Sequence, residues 1–199
     1  MTERRRCFGE DVEIYREYHD REWGRPVLDE RGMLEKLCLE GFQSGLSWLT
    51  ILRKREAFRR AFANFEADVM ARFGAREVRR LLGDASIVRH RLKIEAAIAN
   101  ARATLALRES GSDLVEVVWS HRPARHAAPR SWVDVDSETA ESRSLAKELK
   151  RAGFRFVGPT TVYALMQACG LVNDHLAACV VRAEVEAEQN RVELPPRRN

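Results

Sequence analysis

The sequence predicts an all-α protein. Three apolar stripes carry that expectation. Leu34, Leu37, Cys38 and Gly41 recur at steps of three and four residues, and so do Ile94, Ile98, Ala101 and Leu105, and Val162, Leu165, Met166 and Cys169. That spacing lines one face of a helix. Alternating patterns are scarce by contrast. Val115-Glu116-Val117-Val118-Trp119 is the one short strand candidate, and it fits the end of a helix equally well. At 199 residues and 45% hydrophobic, the chain suits one domain, or one with a small appendage, that buries its core without staples.

Charge and cysteine use bound the setting. Lys and Arg number 34 against 30 Asp and Glu, and the pI near 9.1 permits a polyanionic partner without demanding one. Four cysteines and no secretory apolar segment after Met1-Thr2-Glu3-Arg4-Arg5-Arg6 point to a reducing, cytoplasmic compartment. No apolar run reaches the length of a membrane span. Cys38 and Cys169 fall inside the stripes and read as small core residues.

The other two cysteines pair with histidines at opposite ends of the chain. Cys7 and His19 precede the first stripe; His175 and Cys179 follow the last as H-x-x-x-C. On a helix that spacing would put both heads on one face, a turn apart. Two thiolates and two imidazoles make a complete tetrahedral zinc set of the structural type. The x11 gap from Cys7 to His19 fits no standard finger, so the alternative is two pairs that never meet.

Next in order comes Leu39-Glu40-Gly41-Phe42-Gln43-Ser44-Gly45-Leu46-Ser47-Trp48, which follows an amphipathic helix. Glu40 has apolar neighbours, and a buried carboxylate without a partner is costly unless a cationic or amino-bearing ligand meets it. Trp48, with Tyr15, Tyr18 and Trp23, could offer stacking faces that favour positive charge. Alternatively the tryptophans are core and Glu40 is a surface acid. The basic run Arg53, Lys54, Arg55, Arg59, Arg60 reads as a solvated face, and His90 as either a DNA contact or a cap.

Residues 120–138, with Pro123, Pro129, His121 and His126, read as an irregular surface loop. Ser144 to Ala152 reads as a basic helix, followed by Gly153-Phe154-Arg155-Phe156-Val157-Gly158 and by Pro159, which suits a first helical position. Two glycines around an apolar knuckle would expose backbone N–H groups beside a helix N-terminus, an anion nest suited to DNA phosphate. Lys147, Lys150, Arg151 and Arg155 add charge. A hairpin that binds nothing is the plain alternative. Residues 1–185 are expected to form the single domain, and 186–199 a basic tail that ends Leu194-Pro195-Pro196-Arg197-Arg198-Asn199.

Taken together, these strings resemble the bacterial 3-methyladenine DNA glycosylase I family. The resemblance rests on Tyr18-His19-Asp20 with Glu22-Trp23-Gly24, on Leu39 to Trp48, on Ile87-Val88-Arg89-His90-Arg91, and on Gly153 through His175. It implies a helix-hairpin-helix glycosylase fold with structural zinc joining the N- and C-terminal segments at Cys7, His19, His175 and Cys179. It implies Glu40 as the acid that reads the base, Tyr18 and Trp48 as stacking aromatics with Tyr15 nearby, and Gln43 to Leu46 as the turn pushed into the duplex. Gln43 would touch the base, and Gly45, Leu46, Gly153, Arg155 and Gly158 the DNA. The partner would be double-stranded DNA containing alkylated adenine, with the enzyme a monomer that leaves an abasic site. Two departures stand out. Phe8 follows Cys7 where the family usually has a nearby tryptophan, and Asn173 stands where other helix-hairpin-helix glycosylases place a catalytic aspartate. The rival readings are a zinc-stapled module that binds damaged DNA without catalysis, and a zinc hydrolase, which would need an open metal position.

Overall fold

The computed structural model describes residues 5–193. It is helical throughout: α1 (Glu13–Arg21), α2 (Glu30–Gln43), α3 (Trp48–Ala61), α4 (Ala67–Met70), α5 (Ala75–Gly83), α6 (Arg91–Glu109), α7 (Leu114–Trp119), α8 (Ala140–Arg151), α9 (Pro159–Ala168) and α10 (Arg182–Asn190). Single 3-10 turns lie at Ala63–Phe65 and Trp132–Asp134. The three stripes fall on α2, α6 and α9 as expected, and Cys38 and Cys169 are buried in the core. Among the described residues no helix is long and apolar enough to cross a membrane.

Helix α2 is the axis of the fold. It packs against α3, α6, α7 and α9, and every residue from Met33 to Phe42 except Lys36 is buried. A helix apolar on nearly all sides belongs inside, so any acid it carries must be answered or must serve a ligand. The Asp29 side chain starts it, accepting from Gly32 N at 2.8 Å.

Val115 to Trp119 is helical. Asp113 caps it by accepting from Glu116 N at 2.8 Å, and Val117, Val118 and Trp119 are buried. Burial against α2 outweighs the β preference of the valines.

Helix α8 begins at Ala140, four residues before the expected start. Thr139 and Ser142 form a reciprocal cap there. The connection to α9 turns at Gly153, where φ is +95°, a left-handed conformation that glycine adopts without cost. Asn100 of α6 pins it from below: Arg155 N donates to Asn100 Oδ1 (2.7 Å), and Asn100 Nδ2 donates to Arg155 O (3.2 Å). At Gly41 an added Cβ would lie 3.3 Å from Phe156 Cβ, so the missing side chain is what lets α2 approach this knuckle.

The two ends of the described chain meet. Arg5 N donates to Ala178 O (3.3 Å) and Val180 N to Arg5 O (3.2 Å), a short backbone bridge outside any strand. The boundary expected at 186 falls inside α10. Gln189 of that helix is buried and donates to Gly24 O (2.7 Å) and Val172 O (3.1 Å), so the packed body runs on at least this far. The remainder of the expected tail, Leu194 to Asn199, lies outside the described residues.

Candidate active site

Two acids lie on the buried helix α2, and their surroundings differ. Glu35 is answered by Arg59 of α3, whose Nη2 donates to Oε1 at 2.7 Å. Glu40, 5% exposed, has no hydrogen-bond donor among the described residues. Burial pushes its carboxyl up to about 8, partly offset by the charge of Lys36. An unanswered carboxylate at this depth is costly.

The acid opens onto a cavity of about 450 Å³ lined by Phe8, Tyr15, Tyr18, Trp23, Gln43, Trp48, Trp132, Ala164 and Gln167 besides Glu40 itself. That volume lies within the usual range for small-molecule sites. The expected set Tyr15, Tyr18, Glu40, Gln43 and Trp48 thus shares one cavity. Tyr18 is buried on α1, and its ring meets Trp48 at 5.2 Å between centroids, tilted 45°. Lys36 Nζ sits 4.9 Å from the Tyr18 centroid. Trp48 opens α3, where the Ser47 side chain caps the helix by accepting from Thr50 N (3.2 Å). Its indole Nε1 is buried without a hydrogen-bond partner. The cavity therefore holds an unmet acceptor group, which an amino-bearing planar ligand would satisfy.

An adjoining cavity of about 350 Å³ shares Glu40, Gln43 and Ala164 and is otherwise lined by Ser44, Gly45, Leu46, Thr160 and Thr161. It lies between the α2–α3 turn and the first turn of α9. Leu46 is 41% exposed at the tip of that turn, which passes through Gly45 at φ +78°. Lys93 of α6, buried, holds the turn from behind. Its ammonium donates to Phe42 O (2.9 Å) and to Ser44 O. A cation on the last carbonyls of a helix is favourable, and here it fixes where Leu46 projects.

Gly153, Arg155 and Gly158 line neither cavity. They lie on the α8–α9 connection, with Gly158 as the N-cap of α9 and Pro159 in its first turn. Lys147, Lys150, Arg151 and Arg155 are exposed and form no ion pair among the described residues. The run in α3 is different: Arg55 is bonded to Glu22, Arg59 to Glu35, and Lys54 to the carbonyls of Ala85 and Ser86. His90 is a cap, its Nδ1 accepting from Lys93 N at 3.4 Å.

Cys7, His19, His175 and Cys179 converge, their ligand atoms all within 4.8 Å of one another. Cys179 Sγ lies 3.4 Å from both His19 Nε2 and His175 Nδ1, and Cys7 Sγ lies 3.7 Å from His175 Nδ1. Zinc bond lengths on a tetrahedron put sulfur and nitrogen ligands about 3.5 Å apart. Both rings present an acceptor nitrogen to the cluster, where His19 Nε2 also takes a bond from Cys7 N at 3.1 Å. His19 Nδ1 faces Asp20 Oδ1 (2.8 Å), and His175 Nε2 faces the Trp23 carbonyl (3.0 Å). Each outer nitrogen must be the donor, which leaves Nε2 of His19 and Nδ1 of His175 as bases. Arg6 completes the support by bonding Asp20 at 3.0 Å. Leu176 N donates to Cys7 Sγ (3.1 Å). The hydrogen bond between the sulfurs pulls the Cys179 thiol down and pushes Cys7 up; a dication favours both thiolates. The donor set fits a metal.

One expectation about this cluster fails. His175 and Cys179 do not share a helix face. They lie in the irregular stretch between α9 and α10, with a turn closed by Cys179 N to Leu176 O at 2.8 Å. The left-handed Gly170 ends α9 before them, packed so closely on Arg25 and Gly24 that a Cβ would lie 2.8 Å from their backbone. A loop brings the two heads together where a helix turn was expected.

Asp174 is buried away from the cavity and takes three hydrogen bonds, from Tyr163 OH (2.8 Å), Gln167 Nε2 (2.7 Å) and His126 Nε2 (2.6 Å). Burial works against its charge, but those donors hold it below the usual carboxylate range. Asn173 donates to Arg182 O. Neither residue faces Glu40's cavity. Lys93, Asn100, Trp132 and Gln167 had no assigned role in the sequence; each needed a tertiary neighbour to reveal it.

The sequence pattern of the methyladenine glycosylases matches residues 8–183. The chain is 46% identical over 169 residues to DNA-3-methyladenine glycosylase 1 of Escherichia coli K12, covering 83% of this chain and 90% of that protein. It is 43% identical over 182 residues to the DNA-3-methyladenine glycosylase of Haemophilus influenzae, covering 90% and 97%. A crystal structure of a 3-methyladenine DNA glycosylase I superposes with a TM-score of 0.86 at 44% identity, covering 88% of this chain and 98% of the other.

Proposed function

This chain belongs to the methyladenine glycosylase family, and from that premise we propose how its two cavities and its cysteine–histidine cluster act together on DNA. It is a base-excision repair glycosylase for 3-methyladenine. The observation that carries the site assignment is Glu40, a buried acid with no hydrogen-bond donor among the described residues, at the edge of an aromatic cavity.

The lesion leaves the duplex and enters the cavity of Tyr15, Tyr18, Gln43 and Trp48. Its ring rests on Trp48 and Tyr18, whose π-faces attract positive charge. Glu40, ionised once a cation arrives, accepts from the exocyclic amino edge, a charge-assisted hydrogen bond. N3-alkylation already makes the adenine cationic, so the bond from C1′ to the ring nitrogen breaks with its electron pair passing to the base. Water adds to C1′ and loses a proton, leaving an abasic site. Little acid catalysis is needed, and extraction and retention of the base dominate the task. Glu40 therefore selects the base and steadies its charge as the bond breaks.

The α2–α3 turn and the α8–α9 connection grip the DNA, which we take to be double-stranded. The latter serves as the hairpin of a helix-hairpin-helix element, with Gly153, Arg155 and Gly158 at the phosphates and the unpaired lysines and arginines beside it. Gly45 and Leu46 enter the space the lesion vacates. Zinc would be held by Cys7 Sγ, His19 Nε2, His175 Nδ1 and Cys179 Sγ. With four protein ligands it would supply a crosslink and no reaction step. The enzyme works as a cytoplasmic monomer.

Wild-type protein incubated with methylated duplex is expected to free 3-methyladenine, identified by chromatography of released bases. No released base with intact DNA binding would instead favour a damage-binding module. Leu46→Ala is expected to slow release from duplex about tenfold, the value of a side chain's insertion being about 1–2 kcal/mol, and to leave release from single strands unchanged. Equal slowing on both substrates would contradict the wedge.

A further inference from the structure

The irregular stretch after α7 carries a tryptophan that the reading above leaves without a role. Trp132 sits on the 3-10 turn Trp132–Asp134, 45% exposed, yet it lines the Glu40 cavity. A large aromatic on a polar loop is ordinarily free to move. This one is fixed. Its Nε1 donates to Cys7 O at 3.3 Å, and its ring lies 6.2 Å from both Phe8 and Trp23, centroid to centroid. Asp134 closes the turn beneath it, accepting from Arg130 N (2.9 Å), Ser131 N (2.9 Å) and Ser131 Oγ (3.1 Å). Ala177 N donates to Pro129 O (2.8 Å), and His126 bonds Asp174 (2.6 Å), so the loop is moored on both sides of His175.

We propose that Trp132 is a base-contacting residue, the outer wall against which the flipped 3-methyladenine packs. The proposal rests on the cavity being the base site. Its ring is a rigid, preoriented surface, so contact with a planar ligand costs little ordering. Phe8 stands beside it in the same lining, packed edge-on to Trp23 at 5.1 Å. The moorings also mean that the cysteine–histidine cluster positions this wall, through the Cys7 carbonyl and the loop around His175.

The test is the dissociation constant of free 3-methyladenine for zinc-loaded wild type, Trp132→Ala and Trp132→Phe, with zinc content and Tm measured alongside. Wild type that fails to bind the base refutes the cavity assignment itself. With wild type binding, Trp132→Ala is expected to weaken affinity at least about fivefold, the low end for one base–aromatic stack, at unchanged Tm and zinc content. Trp132→Phe is expected to recover most of it. Affinity unchanged in Trp132→Ala, a loss reversed by added zinc, or a Phe variant no better than Ala would each overturn the proposal.

Discussion

Glu40→Gln is expected to release 3-methyladenine from methylated DNA roughly 10- to 150-fold more slowly than wild type, the loss of one hydrogen bond to a charged group. Binding to undamaged duplex should be unchanged, because Gly153, Arg155 and Gly158 line neither cavity and the substitution leaves the packing of α2 on the α8–α9 connection as it is. The amide keeps the shape of the carboxylate and removes only its charge. Unaltered release would remove Glu40 from the chemistry. The same substitution has a second signature in stability. Burial raises the acid from 4.5 to about 8 on folding, so between those values folding takes up a proton. Glu40 therefore favours the folded state less as pH rises through this window, and least above about 8. The ceiling on that loss is on the order of 5 kcal/mol, reduced by water entering the cavity. The Gln variant lacks the term, so its Tm advantage over wild type should widen from pH 5 to pH 8. A gap that does not change with pH would show that Glu40 is not desolvated.

Cys179→Ser is expected to lower zinc content and stability together, by more than about 3 kcal/mol, since loss of a closed metal site belongs with the largest single-residue effects. For a domain of this size that corresponds to a fall in Tm of about 6–12 °C. Two features make the effect large. The cluster closes a loop of nearly the whole chain, and His19 and His175 each have their outer nitrogen committed to Asp20 and to the Trp23 carbonyl. Without the ion, the two thiols and two imidazoles hold one another only through long sulfur–nitrogen contacts of 3.4–3.7 Å. Base affinity should fall as well, because the cluster anchors both Trp23 and the Trp132 loop beside the cavity. A zinc-free variant as stable as wild type would refute a structural metal.

The fold class was legible because the stripes on α2, α6 and α9 repeat at helical spacing, and the α8–α9 connection because glycine and proline bracket it. The Cys7, His19, His175, Cys179 set could be named from ligand chemistry at the two ends. Its local geometry could not. H-x-x-x-C spacing suits a helix, yet Gly170 ends α9 early and the ligands converge from a loop, a choice made by packing against Gly24 and Arg25. Glu40 read as either a surface acid or a buried one, and only the packing of α2 against its neighbours decided it. Lys93 carried no role in the sequence; its place under the α2–α3 turn depends on how α6 crosses α2. Trp132 was hidden by its polar loop, since composition marks where a chain is irregular and not what it leans against.

The central claim is that Glu40 waits as a buried carboxyl for a cationic or amino-bearing base. Carbon-13 labelling of the glutamates, with Glu40→Gln to assign the resonance, measures this directly. The Glu40 carboxyl is predicted to titrate near 8 in the free protein, and to shift well downward when 3-methyladenine fills the cavity. A carboxyl that titrates near 4.5 in the free protein, or one that the base leaves unmoved, would contradict the account.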